Sequence, residues 1–108
     1  IMWNCNQSVI IESEHAINLV TNSKYYFLDV RTIREHVDRA IPNTICIPLQ
    51  EIEKRLSELN DYKDKIIIVY CRSGNRSGKA TKILKENGFD AINLIGGMNS
   101  WEGDVVSN

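Results

Sequence analysis

The chain has 108 residues, 43% of them hydrophobic and 25% charged, and a formal net charge of −1. This length suits one domain with a real core rather than two, and the composition excludes disordered and collagen-like architectures. A near-neutral chain offers no basic field for nucleic acid or an anionic membrane surface, so any positive potential must be local.

Taken in order, residues 9–11 read as a short strand, and Ser13 is placed to cap a helix over 14–20 whose Ala16, Ile17 and Val20 share one face. Residues 25–30 form a second strand. Thr32 and Glu35 then have the spacing of a capping box, in which each side chain satisfies the free backbone N–H of the other residue, and a short helix follows. A third strand at 45–47 is stopped by Pro48. Beyond it, Leu49, Ile52, Leu56 and Leu59 recur at helical spacing, which predicts one apolar stripe laid on a sheet.

The run Ile66-Ile67-Ile68-Val69-Tyr70 has no polar alternation and suits a central strand covered on both faces. After the loop "CRSGNRS", Ala80, Ile83 and Leu84 mark the inner face of a helix. Gly88 ends that helix in a left-handed conformation, with Phe89 folding back on Leu84. A strand at 91–95, a turn at Gly96-Gly97 and a short helix at 98–102 complete the series. Strands alternating with helices imply an α/β fold with a mainly parallel sheet and helices on both faces. Ligands bind such sheets beyond the carboxyl ends of the strands, which is where Cys71 falls.

No apolar stretch has the length of a membrane-spanning helix, and Ile1-Met2-Trp3-Asn4-Cys5 lacks the basic-then-apolar order of a secretory signal, so a cytoplasmic address is expected. Cys5, Cys46 and Cys71 cannot all pair, and none has metal-cluster spacing to another. A reduced chain with a free thiol, no metal and no organic cofactor is the simplest reading. Cys46 belongs to core, Cys5 lies near a terminus without an evident role, and His36 reads as a half-buried packing residue. Met98 and Trp101 should cover the sheet, and the charges from Glu51 to Arg55 an exposed helix face.

The stretch from Tyr70 to Gly78, "YCRSGNRSG", carries the chemistry. A strand, a short loop and a helix in succession aim backbone N–H groups and the positive end of a helix dipole into one small bowl suited to an anion. Cys71 stands at its base, Gly74 permits the turn, and Arg72 and Arg76 bring positive charge toward the sulfur. A free thiol ionises near pH 8.5, and such surroundings lower that value, so a reactive thiolate is expected at neutral pH. His15 and His36 sit on other elements, which leaves a protease-like Cys-His pair without local support and points to direct attack by the thiolate. Cysteine-dependent phosphatases space their arginine as C-x-x-x-x-x-R. Here Arg76 comes one residue early and Ser77 holds the expected place, so the smaller bowl favours one added sulfur over a phosphate.

Five ordered segments then resemble the rhodanese-like single-domain sulfurtransferases across nearly the whole chain: "FLDVR" at 27–31, Glu35 four residues later, "IPNTICIPL" at 41–49, "IIIVYCRSGNRS" at 66–77 and "NLIGGMNSW" at 93–101. The resemblance implies that Cys71 accepts a sulfane sulfur from an anionic donor such as thiosulfate, becomes a persulfide, and passes the sulfur to a thiol, cyanide or a protein acceptor such as a thioredoxin-like protein or a sulfur carrier. Arg72, Ser73, Gly74, Asn75, Arg76 and Ser77 would bind the transferred group. Asp29 and Arg31 would support the loop by charged hydrogen bonds. The chain departs from the family where Arg39-Ala40 replaces Gly-His before Ile41-Pro42 and Asn43-Thr44 replaces Gly-Ala after it. This predicts a differently built turn and places Arg39 as a further cation for an anionic donor or an acidic partner. Two alternatives stand beside this reading: a non-catalytic interaction module of the same family, and a cysteine-dependent phosphatase or arsenate reductase.

Overall fold

An all-apolar five-residue strand buries both its faces only in the middle of a sheet. A computed structural model, which describes residues 9–107, places it there. The strands are β1 (Ile10–Ile11), β2 (Tyr25–Asp29), β3 (Ile45–Cys46), β4 (Ile66–Tyr70) and β5 (Asp90–Leu94), all parallel, in the order β1-β5-β4-β2-β3. Along β4, side chains alternate between two cores. Ile67, Val69 and then Cys71 face Leu28, Ile52, Leu59, Ala80 and Leu84, whereas Ile68 and Tyr70 face Ala16, Phe27, Ile41, Met98 and Trp101. The two-residue side-chain period of a strand thus delivers Cys71 to the face that carries the following helix.

Around the sheet lie α1 (Ser13–Ala16), α2 (Ile33–Asp38), α3 (Asn75–Glu86) and α4 (Gly97–Ser100). α2 starts on the expected capping box, with Glu35 N–H donating to Thr32 Oγ1 at 3.2 Å and Thr32 N–H to Glu35 Oε1 at 3.1 Å. α3 ends as its sequence predicts: Phe89 N–H donates to Leu84 O at 3.0 Å, Gly88 N–H donates to Lys85 O at 3.2 Å, and Gly88 has φ +88°. Phe89 and Leu84 belong to one core, which completes that terminus.

Several expectations change in detail. Glu12, not Ser13, occupies the cap position of α1. Ser13 is buried within the helix, where its Oγ accepts the Glu102 N–H at 3.2 Å. The helix passes into a 3₁₀ turn at Ile17–Leu19. The predicted helix after Pro48 is instead two 3₁₀ segments, Leu49–Glu51 and Glu53–Tyr62, with a kink at Arg55 (φ −117°, ψ 17°). Its apolar stripe survives, since Ile52 and Leu59 are fully buried and Leu49 and Leu56 pack beside them. The charges from Glu51 onward are exposed or half-buried, and Arg55 pairs with Glu51 and Glu58 at 3.0 and 2.7 Å. β5 begins at Asp90 rather than at 91, and α4 at Gly97 rather than at 98.

The turn after Ile41 passes through a non-glycine residue with positive φ. Asn43 has φ +62°, a left-handed conformation that asparagine tolerates better than most side chains. Thr44 Oγ1 donates to Ile41 O at 2.9 Å and lies 2.9 Å from the Tyr70 hydroxyl, tying the turn to the end of β4. Ala40 forms a two-way backbone bridge with Val106, so the C-terminal segment closes over this edge. Among the described residues, no helix is long and apolar enough to cross a membrane.

Candidate active site

Cys71 is the first residue beyond β4 and only 1% exposed. Its Sγ accepts the Gly74 N–H at 3.1 Å and lies 3.3 Å from Ser77 Oγ. Burial pushes the thiol up. The Ser77 hydroxyl and the N–H groups of Ser77, Gly74 and Ser73 more than offset this, leaving it below its ordinary value. Of the two sources of stabilisation expected from the sequence, loop and helix N–H groups and nearby cations, the hydrogen bonds from the loop and the first turn of α3 are the larger.

The arginines are otherwise engaged. Arg76 is held by Glu35 of α2 through two hydrogen bonds, of 2.8 and 3.1 Å. The Glu35 carboxylate, with a smaller electrostatic contribution from Cys71, raises the Arg76 pKa above the ordinary value, so its charge is largely met. Arg72 is exposed and lines a cleft of about 430 Å³ beside the loop, together with Arg31, Glu35, Arg39, Asn99 and Trp101. Ser73 on the loop and Asn75 at the start of α3 are exposed, whereas Ser77 is fully buried.

Arg76 holds the Glu35 carboxyl down to about 2. A depressed carboxyl stabilises the fold above its unfolded value, and that contribution disappears as pH falls through the folded value. Glu35→Gln should therefore cost about 1 kcal/mol at neutral pH, after discounting for screening of a partly exposed pair. It should also flatten the acid limb of stability between roughly pH 4.5 and 2. Urea unfolding of both proteins across that range checks this; parallel acid limbs would refute it.

Asp29 and Arg31, at and just beyond the end of β2, form a buried ion pair. Arg31 Nε lies 2.9 Å from Asp29 Oδ1, its Nη2 lies 2.7 Å from Oδ2, and Arg31 N–H also donates to Oδ1 at 2.9 Å. Arg31 Nη2 reaches Arg39 O, fixing the end of α2, while the Arg39 side chain stays exposed in the cleft. His36 is half-buried with Nδ1 2.9 Å from Asp29 Oδ2. Asp29, His36 and Cys46 bring potential metal-ligand atoms within 4.8 Å of one another. However, Arg31 and His36 already occupy the carboxylate, and burial pushes the Cys46 thiol up to about 12, where it donates to Arg31 O at 3.3 Å. That chemistry suits a hydrogen-bonded brace rather than a cation site. Cys5 lies outside the described residues.

Two contributors escaped the sequence reading. Gly97 opens α4 against the loop: Met98 N–H donates to Cys71 O at 2.9 Å and Asn99 N–H to Arg72 O at 3.0 Å. In a trans peptide the N–H points opposite to the C=O. Drawing these two carbonyls toward α4 therefore turns the N–H groups of Arg72 and Ser73 away from it, toward the bowl. Asn93 of β5 accepts the Ser77 hydroxyl through Oδ1 at 2.5 Å and donates from Nδ2 to Gly74 O at 3.2 Å. Both lie within the quoted segment at 93–101, but their contacts join positions far apart in the chain.

Residues 13–104 match the Rhodanese-like domain family. YrkF of Bacillus subtilis, provisionally named as a sulfur carrier protein, is 40% identical over 94 residues, covering 86% of this chain and 45% of YrkF. This chain thus spans less than half of that relative. YtwF of the same species, provisionally named as a sulfurtransferase, is 37% identical over 84 residues, covering 78% of this chain and 80% of YtwF. The crystal structure of a rhodanese-like domain protein from Staphylococcus aureus superposes with a TM-score of 0.82 at 33% identity, covering 94% of this chain and 99% of that one. A wholly parallel sheet, a cysteine loop between its central strand and α3, and a family match over most of its length together show that the chain belongs to the rhodanese-like domain family.

Proposed function

We propose that the protein is a sulfurtransferase that carries sulfur as a persulfide on Cys71. In the first half-reaction the thiolate attacks the sulfane sulfur of an anionic donor such as thiosulfate; the donor's S–S bond breaks and sulfite leaves with the electron pair. The new outer sulfur carries the negative charge, facing the loop N–H groups from Arg72 to Arg76, with Arg72 and Ser77 at the rim and wall. In the second half-reaction a thiol, cyanide or a protein acceptor attacks that sulfur, and Cys71 leaves again as a thiolate. Asp29 and Arg31 support the loop and do not touch the transferred sulfur.

The observation that carries this reading is a buried sulfur, 1% exposed, beneath converging donors, with the Gly74 N–H at 3.1 Å. A loop whose Arg76 stands one residue short of the C-x-x-x-x-x-R spacing suits a single sulfur better than a tetrahedral phosphoryl group. The name of another relative, the thiosulfate sulfurtransferase PspE of Escherichia coli, 32% identical over 73 residues, supports thiosulfate as donor. The name of YrkF supports a protein-borne sulfur as another form of cargo. Thioredoxin-like thiols fit the acceptor role, and the need for a reduced Cys71 fits the cytoplasm.

Incubation with thiosulfate, desalting and intact mass spectrometry test the proposal. The protein should gain the mass of one sulfur atom, dithiothreitol should remove it, and Cys71→Ser should not acquire it. A reduced, folded protein that takes no sulfur from thiosulfate or from a persulfidated small thiol would overturn the enzymatic reading in favour of an interaction module.

A further inference from the structure

The Ser77 hydroxyl has one proton and two claimants. Asn93 Oδ1 lies 2.5 Å from Ser77 Oγ on one side, and Cys71 Sγ lies 3.3 Å away on the other. The Asn93 amide has one sensible orientation, because Gly74 O, 3.2 Å from Nδ2, can only accept. This leaves Oδ1, also acceptor-only, facing Ser77. While Cys71 is a thiol, the chain of donors must run from S–H to Ser77 Oγ and from Ser77 O–H to Asn93 Oδ1. When Cys71 ionises, a second arrangement becomes favourable, in which the Ser77 hydroxyl rotates onto the sulfur and Asn93 Oδ1 loses its donor.

We propose that Asn93 is a positioning residue that holds the single Ser77 hydroxyl proton away from Cys71 while the sulfur is uncharged and yields it when a thiolate forms. Ser77 is fully buried, so water does not replace either partner freely. The inference deepens the persulfide reading and rests on it for its purpose. In a persulfide the inner sulfur is a neutral, weak acceptor and the charge sits on the outer sulfur, so the Ser77 proton returns to Asn93. As an acceptor attacks the outer sulfur and the S–S bond breaks, the electron pair collects on Cys71 Sγ and the Ser77 proton swings back to meet it. The hydroxyl thus follows the charge through the cycle, and Asn93 holds it during the loaded state.

Charged groups also face this corner. Arg76 of α3 is paired with Glu35 of α2, the Asp29–Arg31 pair closes the end of β2 with His36 against it, and Arg72 lies in the loop. α4 contributes only the neutral Met98 and Asn99 there, and β5 the neutral Asn93. Replacing Asn93 by an uncharged residue leaves every one of these charges in place. Gly74 O also keeps the Gly78 N–H at 3.0 Å, so it is not orphaned.

The test is the ionisation midpoint of Cys71 in the full chain without any sulfur donor, read by thiolate absorbance as a difference from Cys71→Ala, which cancels the other thiols and the tyrosines. Ser77→Ala should raise the midpoint by about 1 pH unit, since a hydrogen bond to the charged form is lost. Asn93→Leu should lower it by about half a unit, because the Ser77 proton is released to the sulfur. The opposite signs are what a merely structural role would not produce. In the Ser77→Ala background the Asn93→Leu shift should vanish, because Asn93 acts through Ser77. An unchanged or raised midpoint in folded Asn93→Leu, or a shift that persists without Ser77, would overturn the proposal. Should Asn93→Leu fail to fold, the Asn93 side-chain amide resonance of the unaltered protein decides: it should follow the Cys71 midpoint and lose most of that response in Ser77→Ala, and a response independent of Ser77 would overturn the relay. Because these readouts involve no sulfur transfer, a protein that fails to load sulfur yet shows the opposite shifts would separate the two proposals.

Discussion

Cys71→Ser is expected to lower kcat/KM for thiosulfate-to-cyanide sulfur transfer by about a thousandfold or more, because the proposed nucleophile itself is removed and no other thiol among the described residues is placed to replace it. Cys46 is the only other cysteine among the described residues. It lies in β3, with its thiol held by Arg31 O and pushed up to about 12, so it carries little thiolate at neutral pH. The matching Cys46→Ser variant should keep activity within a few-fold, which separates nucleophile loss from general damage. A serine at 71 retains a small polar atom beneath the Gly74 N–H, and its melting temperature should stay close to that of the parent. Thiocyanate formation measured for the parent and both variants settles the matter: near-parental activity in folded Cys71→Ser would remove the cysteine from the reaction.

The elements that were legible in the sequence are those whose stabilisation is local or whose pattern has one solution. β4 is an apolar run too short for a helix and too continuous for an edge. The capping box of α2 and the left-handed end of α3 are closed by neighbours within a few positions. The segment Glu53–Tyr62 was harder, because an α-helix and a 3₁₀ helix share an apolar stripe over two turns and the kink at Arg55 has no signature in its residues. Ser13 has good capping chemistry, yet its hydroxyl accepts a backbone N–H 89 positions away, a claim that local reasoning cannot see.

The candidate site divides in the same way. Cys71, its loop and the helix behind it are contiguous, so sequence alone brings them together. The meaning of the loop arginines is not contiguous. Glu35, 41 positions from Arg76, converts an apparent cation for the sulfur into half of an ion pair. Asn93 and Gly97 were visible only as letters of a strand and a turn, because nothing local reveals that one holds Ser77 and the other meets the carbonyls of Cys71 and Arg72.

Gly97→Ala should be the most damaging of the glycine-to-alanine changes. A Cβ at this position would stand 2.3 Å from Cys71 O and 2.8 Å from both the carbonyl carbon and the oxygen of Arg72. All three are backbone atoms, so no flexible side chain can swing aside, and φ at Gly97 is +50°. The left-handed conformation alone costs about 1 kcal/mol for a residue with a side chain. Relieving the overlap means parting α4 from the loop, with loss of the Met98 and Asn99 hydrogen bonds to Cys71 O and Arg72 O. Together these amount to roughly 4 kcal/mol, or a melting temperature lower by about 15 °C. Gly88→Ala is the fitting comparison, since φ there is also positive, at +88°, but an added Cβ meets nothing within 4 Å. It should cost only the conformational part, about 1 kcal/mol, and leave sulfur transfer unchanged. Below its melting temperature Gly97→Ala should still transfer sulfur at least tenfold more slowly, because freed carbonyls of Cys71 and Arg72 let the adjoining N–H groups turn out of the bowl. Equal melting temperatures for the two variants, measured by calorimetry, would mean that contact between α4 and the loop does not hold the bowl in shape.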